Sequence, residues 1–142
     1  MRAGRRATTL HGMTDGKLDA LRRDPVLRDL RPAQLLWVGR VVDLLDVVAG
    51  ELVAAADRPA CWGFYGRAAR LHVLRDGAVL APAAAPLLLL PDDLDGAAVV
   101  AAAPCRLVAF PRTAVGSLLQ VAPRLAQVPR HPELLATTGG GR

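Results

Sequence analysis

Four sets of side chains carry enough chemistry to define what this chain could do. They are the thiols Cys61 and Cys105 with His72, the carboxylates Asp92, Asp93 and Asp95, the guanidiniums Arg67, Arg70 and Arg75, and the aromatic run Trp62, Phe64 and Tyr65. Thiolate and imidazole are zinc ligands, but these three are scattered and lack the paired spacing of a structural zinc site. A Cys–His nucleophile built from them has no accompanying Asn or Asp to orient it and no oxyanion loop. Hard cations take oxygen ligands, yet the Asp92–Asp95 stretch lacks the further ligand spacing of a calcium loop and reads as a solvated turn. The expectation is no metal, no cofactor and no enzyme chemistry.

The remaining two sets point to surfaces. Arg67, Arg70 and Arg75 flank a strand region, and they are either solvated or matched to an acidic partner surface. Trp62, Phe64 and Tyr65 are either core residues or interface anchors of the kind enriched at binding hot spots. The net charge of +5 comes almost wholly from arginine, with Lys17 the single lysine. Those arginines are spread along the chain without a dense run, which argues against a nucleic-acid face.

The elements that must position these groups are written in the punctuation. Hydrophobic residues make up 52% of the 142 residues while aromatics are 4%, so the core must be aliphatic, with few large pieces. Residues 1–16 hold Arg2, Arg5 and Arg6 without apolar periodicity and read as a disordered basic tail. A short helix over 17–23 is interrupted by Pro25, and Pro32 opens a second helix to about Arg40. Val41 to Val48 and Leu52-Val53 then read as strands about the Gly50 turn. Further strands are expected at 61–65, 69–74, 79–81, 87–90, 98–102 and 106–110, with a closing helix from Pro111 or Thr113 broken by Pro123. One domain over 17–126 and a flexible tail over 127–142 follow. No apolar run approaches the roughly 20 residues of a membrane span, and free thiols without a secretory leader fit a reducing cytoplasm.

That order, helices then β-roll then helix, resembles the cyclic-nucleotide-binding domains. Asp24-Pro25-Val26-Leu27-Arg28-Asp29-Leu30 with Ala33-Gln34-Leu35-Leu36 is similar to the family's opening helical motif. Val47 to Val53 resembles its first strand pair about a glycine, and Ala97 to Ala101 with Cys105 to Phe110 its last two core strands. The resemblance implies an α+β, mainly β fold: a double-stranded β-helix, jelly-roll-like, with short N-terminal helices and a C-terminal helix. In ligand-binding members it implies a Gly-Glu pair on a short helix for the ribose and an arginine before the Ala-rich strand for the cyclic phosphate. Here the stretch reads Leu87, Leu88, Leu89, Leu90, Pro91, Asp92, Asp93, Leu94, Asp95, Gly96, with no Glu and no Arg. Asp95 falls where the arginine should be, so a phosphate would meet like charge.

The phosphate cassette therefore reads as degenerate, and cyclic nucleotide is not expected to bind. The Leu87–Leu90 run either fills the vacated pocket as a core strand or forms an exposed patch for a partner. After Pro123 fewer than twenty residues remain, which leaves no room for a DNA-reading domain. The leading expectation is a non-catalytic pseudo-receptor that binds another protein, as an accessory subunit. A sensor of a small apolar ligand in the remodelled pocket is the second reading. Arg-mediated association with nucleic acid is the third.

Overall fold

The computed structural model describes residues 15–130 apart from positions 58, 68, 81, 82 and 85. Helix α1 (Asp15–Arg23) starts two residues before the sequence expectation, inside the segment that reads as tail. It ends where Asp24 and Pro25 divert the chain into turns. Asp24 is 9% exposed, and its carboxylate accepts from the Val26 amide at 2.8 Å. Pro32 sets the first turn of α2 (Pro32–Val41), and the Gln34 side chain accepts from the Arg31 amide at 3.0 Å, satisfying a donor the helix start leaves open.

The strands are β1 (Asp43–Val47), β2 (Leu52–Ala54), β3 (Trp62–Gly66), β4 (Arg70–Arg75), β5 (Ala78–Val79), β6 (Ala83–Ala84), β7 (Leu87–Leu89), β8 (Ala97–Ala101) and β9 (Cys105–Pro111). Helix α3 (Pro91–Leu94) lies between β7 and β8. A 3-10 turn (Arg112–Ala114), helix α4 (Val115–Val121) and a second 3-10 stretch (Pro123–Gln127) follow β9. These strands pair antiparallel. One sheet runs β1-β9-β3-β7, and the other runs β2-β8-β4-β5 with β6 also on β4. The β1–β2 turn passes through Gly50 at φ 87°, a left-handed conformation that a side chain would strain.

The two sheets face each other, and their inner faces make one aliphatic core that includes Phe64, Leu71, Val73, Leu87, Leu89, Val99 and Leu107. The outer face of the first sheet is covered too. Tyr65, Leu88 and Phe110 pack there against Leu21, Leu35, Val38 and Leu118 of the helices. A sheet buried on both sides has no exposed alternate positions, which explains why Gly63 to Gly66 and Leu87 to Leu89 are buried without a break. The second sheet keeps the alternation of a half-covered sheet: Leu71 and Val73 point in while His72 is exposed.

The packed chain also runs further than expected. Val128 is 7% exposed, the Leu88 amide donates to the Pro129 carbonyl at 2.9 Å, and Arg130 bridges Leu88 in parallel. Residues 127–130 thus sit against the free edge of β7, where the sequence reads as a flexible tail. Positions 1–14 and 131–142 lie outside the described residues.

Candidate functional site

The segment β7–α3–β8 is the stretch that the family resemblance assigns to the nucleotide cassette, and its make-up follows from two prolines and a glycine. Pro86 and Pro91 bound the Leu run, and Pro91 starts α3. Gly96, at φ 80°, turns the chain back into β8. Leu87, Leu88 and Leu89 are buried and Leu90 is half-buried, so the run is a core strand and not an exposed partner patch.

Of the three aspartates, Asp93 departs from a solvated turn. Asp93 is only 5% exposed and takes a two-pronged bond from Arg130: Nε donates to one carboxylate oxygen at 2.8 Å and Nη2 to the other at 2.7 Å. Those hydrogen bonds hold the Arg130 guanidinium above its usual range. Asp92 and Asp95 remain exposed and are bridged by Arg112, which also donates to the Ala60 carbonyl at 2.8 Å. The Ala60 amide donates to Asp95 at 3.0 Å. The segment therefore holds three carboxylates whose partners are the chain's own arginines.

Neither Arg112 nor Arg130 stands out in the sequence as a partner of these aspartates. A third arginine, Arg75, lies beneath the same helix: its Nη2 donates to the Asp93 carbonyl at 3.0 Å, while its buried Nε has no partner among the described residues.

The thiols and the imidazole are kept apart. Trp62 pairs with Pro111 and Val47 with Cys105, so Cys61 and Cys105 stand at opposite ends of β9, and His72 lies in the other sheet. Among the described residues no group of three His, Cys, Asp or Glu side chains is placed to hold a metal ion.

Of the aromatic run, Phe64 and Tyr65 are 4% and 1% exposed and pack on opposite faces of the first sheet, which removes them as surface anchors. Trp62, 42% exposed, lies on the rim of a cleft of about 400 Å3 between β2, the loop before β3, and β3 itself. Arg67 and Arg70 are exposed, and neither has an ion pair or side-chain hydrogen bond among the described residues.

Tyr65 has a structural task that the sequence does not reveal. Its hydroxyl donates to Asp24 at 2.8 Å, tying the turn after α1 to the sheet. Burial, followed by the Asp24 hydrogen bond and charge, raises the Tyr65 pKa well above the ordinary phenol value. A group with a raised native pKa stabilises the fold below its unfolded pKa of about 10 and loses that contribution as pH climbs beyond it. Because Tyr65 is the sole tyrosine, tyrosinate absorbance reports it alone. The absorbance is expected to appear only as the fold is lost above about pH 10; a titration complete near pH 10 in native protein would contradict this. Tyr65→Phe should cost about 1.5–3 kcal/mol, the range for a hydrogen bond to a charged group.

No protein-family model matches the sequence, and no curated protein is similar to it at a significant level. Solved structures do match. The sensor domain of the transcriptional regulator DNR from Pseudomonas aeruginosa is 20% identical with a TM-score of 0.58, over 78% of this chain and 85% of that one. A cAMP-binding acyltransferase from Mycobacterium smegmatis is 18% identical with a TM-score of 0.62, over 78% of this chain and 37% of that one. PfPKA-R with cAMP bound is 18% identical with a TM-score of 0.55, over 72% of this chain and 38% of that one. This chain thus spans well under half of the acyltransferase and PfPKA-R chains. No described helix is long and apolar enough to cross a membrane. With antiparallel sheets in this order, short helices on one side and these structural neighbours, the chain has the β-roll fold of the cAMP-binding domains, mixed α and β and mainly β.

Proposed function

We propose that this β-roll is a non-catalytic regulatory module that acts by binding another protein, as an accessory part of a larger assembly, with its nucleotide cassette given over to internal ion pairs. The observation that carries this is the buried Asp93 held by Arg130, with Asp92 and Asp95 beside it. A cyclic phosphate entering there would lose its own water, meet three carboxylates and have to detach a two-pronged arginine that is already satisfied. The structural neighbours whose names record cAMP binding share the scaffold, while the cassette chemistry of this chain runs opposite to what an anion requires. Calorimetry with cyclic AMP and with cyclic GMP is expected to give no binding heat. Micromolar binding by either, abolished when Arg112 or Arg130 is changed to alanine, would reject the reading.

One atom favours a second reading. The buried Nε of Arg75, without a partner among the described residues, is a donor left open under α3, as a small anionic ligand inside the roll would use it. A sensor of that kind would retain a small anion through native purification, detectable by mass spectrometry of the denatured protein, and Arg75→Ala would release it.

A further inference from the structure

The cleft beside Trp62, of about 400 Å3, has two runs of chain for walls, residues 52–55 and 59–62, and buried Phe64 completes its lining. Leu52 and Trp62, one on each wall, are 58% and 42% exposed, two of the four large apolar side chains that the described residues leave facing water. None of the described lining residues is charged, although the chain carries a net charge of +5. The wall that bears Trp62 is held in place. The Ala60 amide donates to Asp95 at 3.0 Å, Arg112 donates to the Ala60 carbonyl at 2.8 Å, and the Arg112 amide donates to the Cys61 carbonyl at 2.8 Å. A wall fixed in advance loses little freedom when something packs on it.

We infer that this cleft receives Trp62 of a second copy of the chain, the two copies pairing about a two-fold axis so that each fills the other's cleft. In such a pair the same patch serves on both sides, so a projecting side chain must lie beside the hollow that takes its twin. Trp62 meets that condition, because the exposed indole forms part of the rim of the cleft itself. Charge favours the same contact: two chains of +5 repel one another, and an uncharged lining lets them touch with no like charges opposed. Tryptophan is also the side chain most often found to anchor an interface. Each tryptophan contributes about 150–250 Å2, so an interface built around two of them belongs to the small class, under about 1,200 Å2, in which association is weak and reversible. The inference goes beyond the reading above: nucleotide binding would remove that reading and leave this one standing.

Sedimentation velocity of the full chain is the test. A reversible monomer–dimer equilibrium at roughly micromolar concentration is expected, kept or strengthened as salt rises because screening relieves the repulsion between two cationic chains. Trp62→Ala should weaken it at least about tenfold. Leu52→Lys, which keeps the indole and places a charge on the facing wall, should do the same. Val79→Lys, at a valine 61% exposed on β5, should leave it unaltered. A bismaleimide should join two chains through the exposed Cys61, each thiol adding across one maleimide double bond, and Cys61→Ser should abolish the product. A monomer up to millimolar concentration, or equal effects of Leu52→Lys and Val79→Lys, overturns the inference. A monomer that binds an apolar dye, with the binding lost in Trp62→Ala, overturns it in favour of a small apolar ligand.

Discussion

Arg130→Ala is expected to destabilise the fold by about 2–3 kcal/mol, below the 3–5 kcal/mol of a fully buried pair because Arg130 keeps a 37% exposed side chain. The loss is lopsided. Arg130 can return to water, whereas Asp93 stays 5% exposed with its carboxylate stripped of both donors. The reverse change, Asp93→Ala, should therefore cost less, and in the double variant much of the Arg130→Ala penalty should vanish because no buried charge remains. Urea unfolding of the four proteins checks this. Full additivity of the two substitutions would mean that Asp93 finds another donor, and Arg75 beneath α3 is the candidate.

Gly63→Ala is the second large effect, about 3 kcal/mol at the top of the range for overpacking. A Cβ on Gly63 would stand 2.4 Å from Cε1 of Phe110, its partner across β3 and β9, and 2.9 Å from the Leu89 carbonyl oxygen. Phe110 is fully buried and cannot yield, so the strands must part. Gly116 supplies the contrast inside the same molecule: it lies in α4, and a Cβ there would meet nothing within 4 Å. Gly116→Ala should therefore gain about 0.5–1 kcal/mol from helix propensity. Thermal unfolding of the two variants is expected to move in opposite directions, and a neutral Gly63→Ala would mean the ring and strand have slack.

The β-roll is legible because its signals are local. Pro32 opens α2, Gly50 turns β1 into β2, and Pro86 and Pro91 bracket the Leu run. The aromatic run is ambiguous for a definite reason: period-two alternation marks a sheet open on one side, and the first sheet is covered on both. Phe64 and Tyr65 are therefore both core, though adjacent in sequence. The ion pairs of the cassette are out of reach, since Asp93 and Arg130 are 37 positions apart and an arginine in a Pro-rich tail carries no mark of its partner. The residue types alone show three carboxylates between the Leu run and the Ala-rich strand; the structure adds that arginines from β9's exit and from the C-terminal segment pair with them.

The pairing of the first strand with the last has a consequence for how the protein is made. Asp43 on β1 waits for Ala109 on β9, so the ladder that holds β1 in the first sheet cannot form until nearly the whole roll has left the ribosome. At about 5–20 residues per second that is a delay of several seconds, during which β1 has no partner for its backbone. The acids Asp43 and Asp46 on that strand serve as gatekeepers in the interval, because charge on an unpaired strand discourages its annealing to a neighbouring nascent chain.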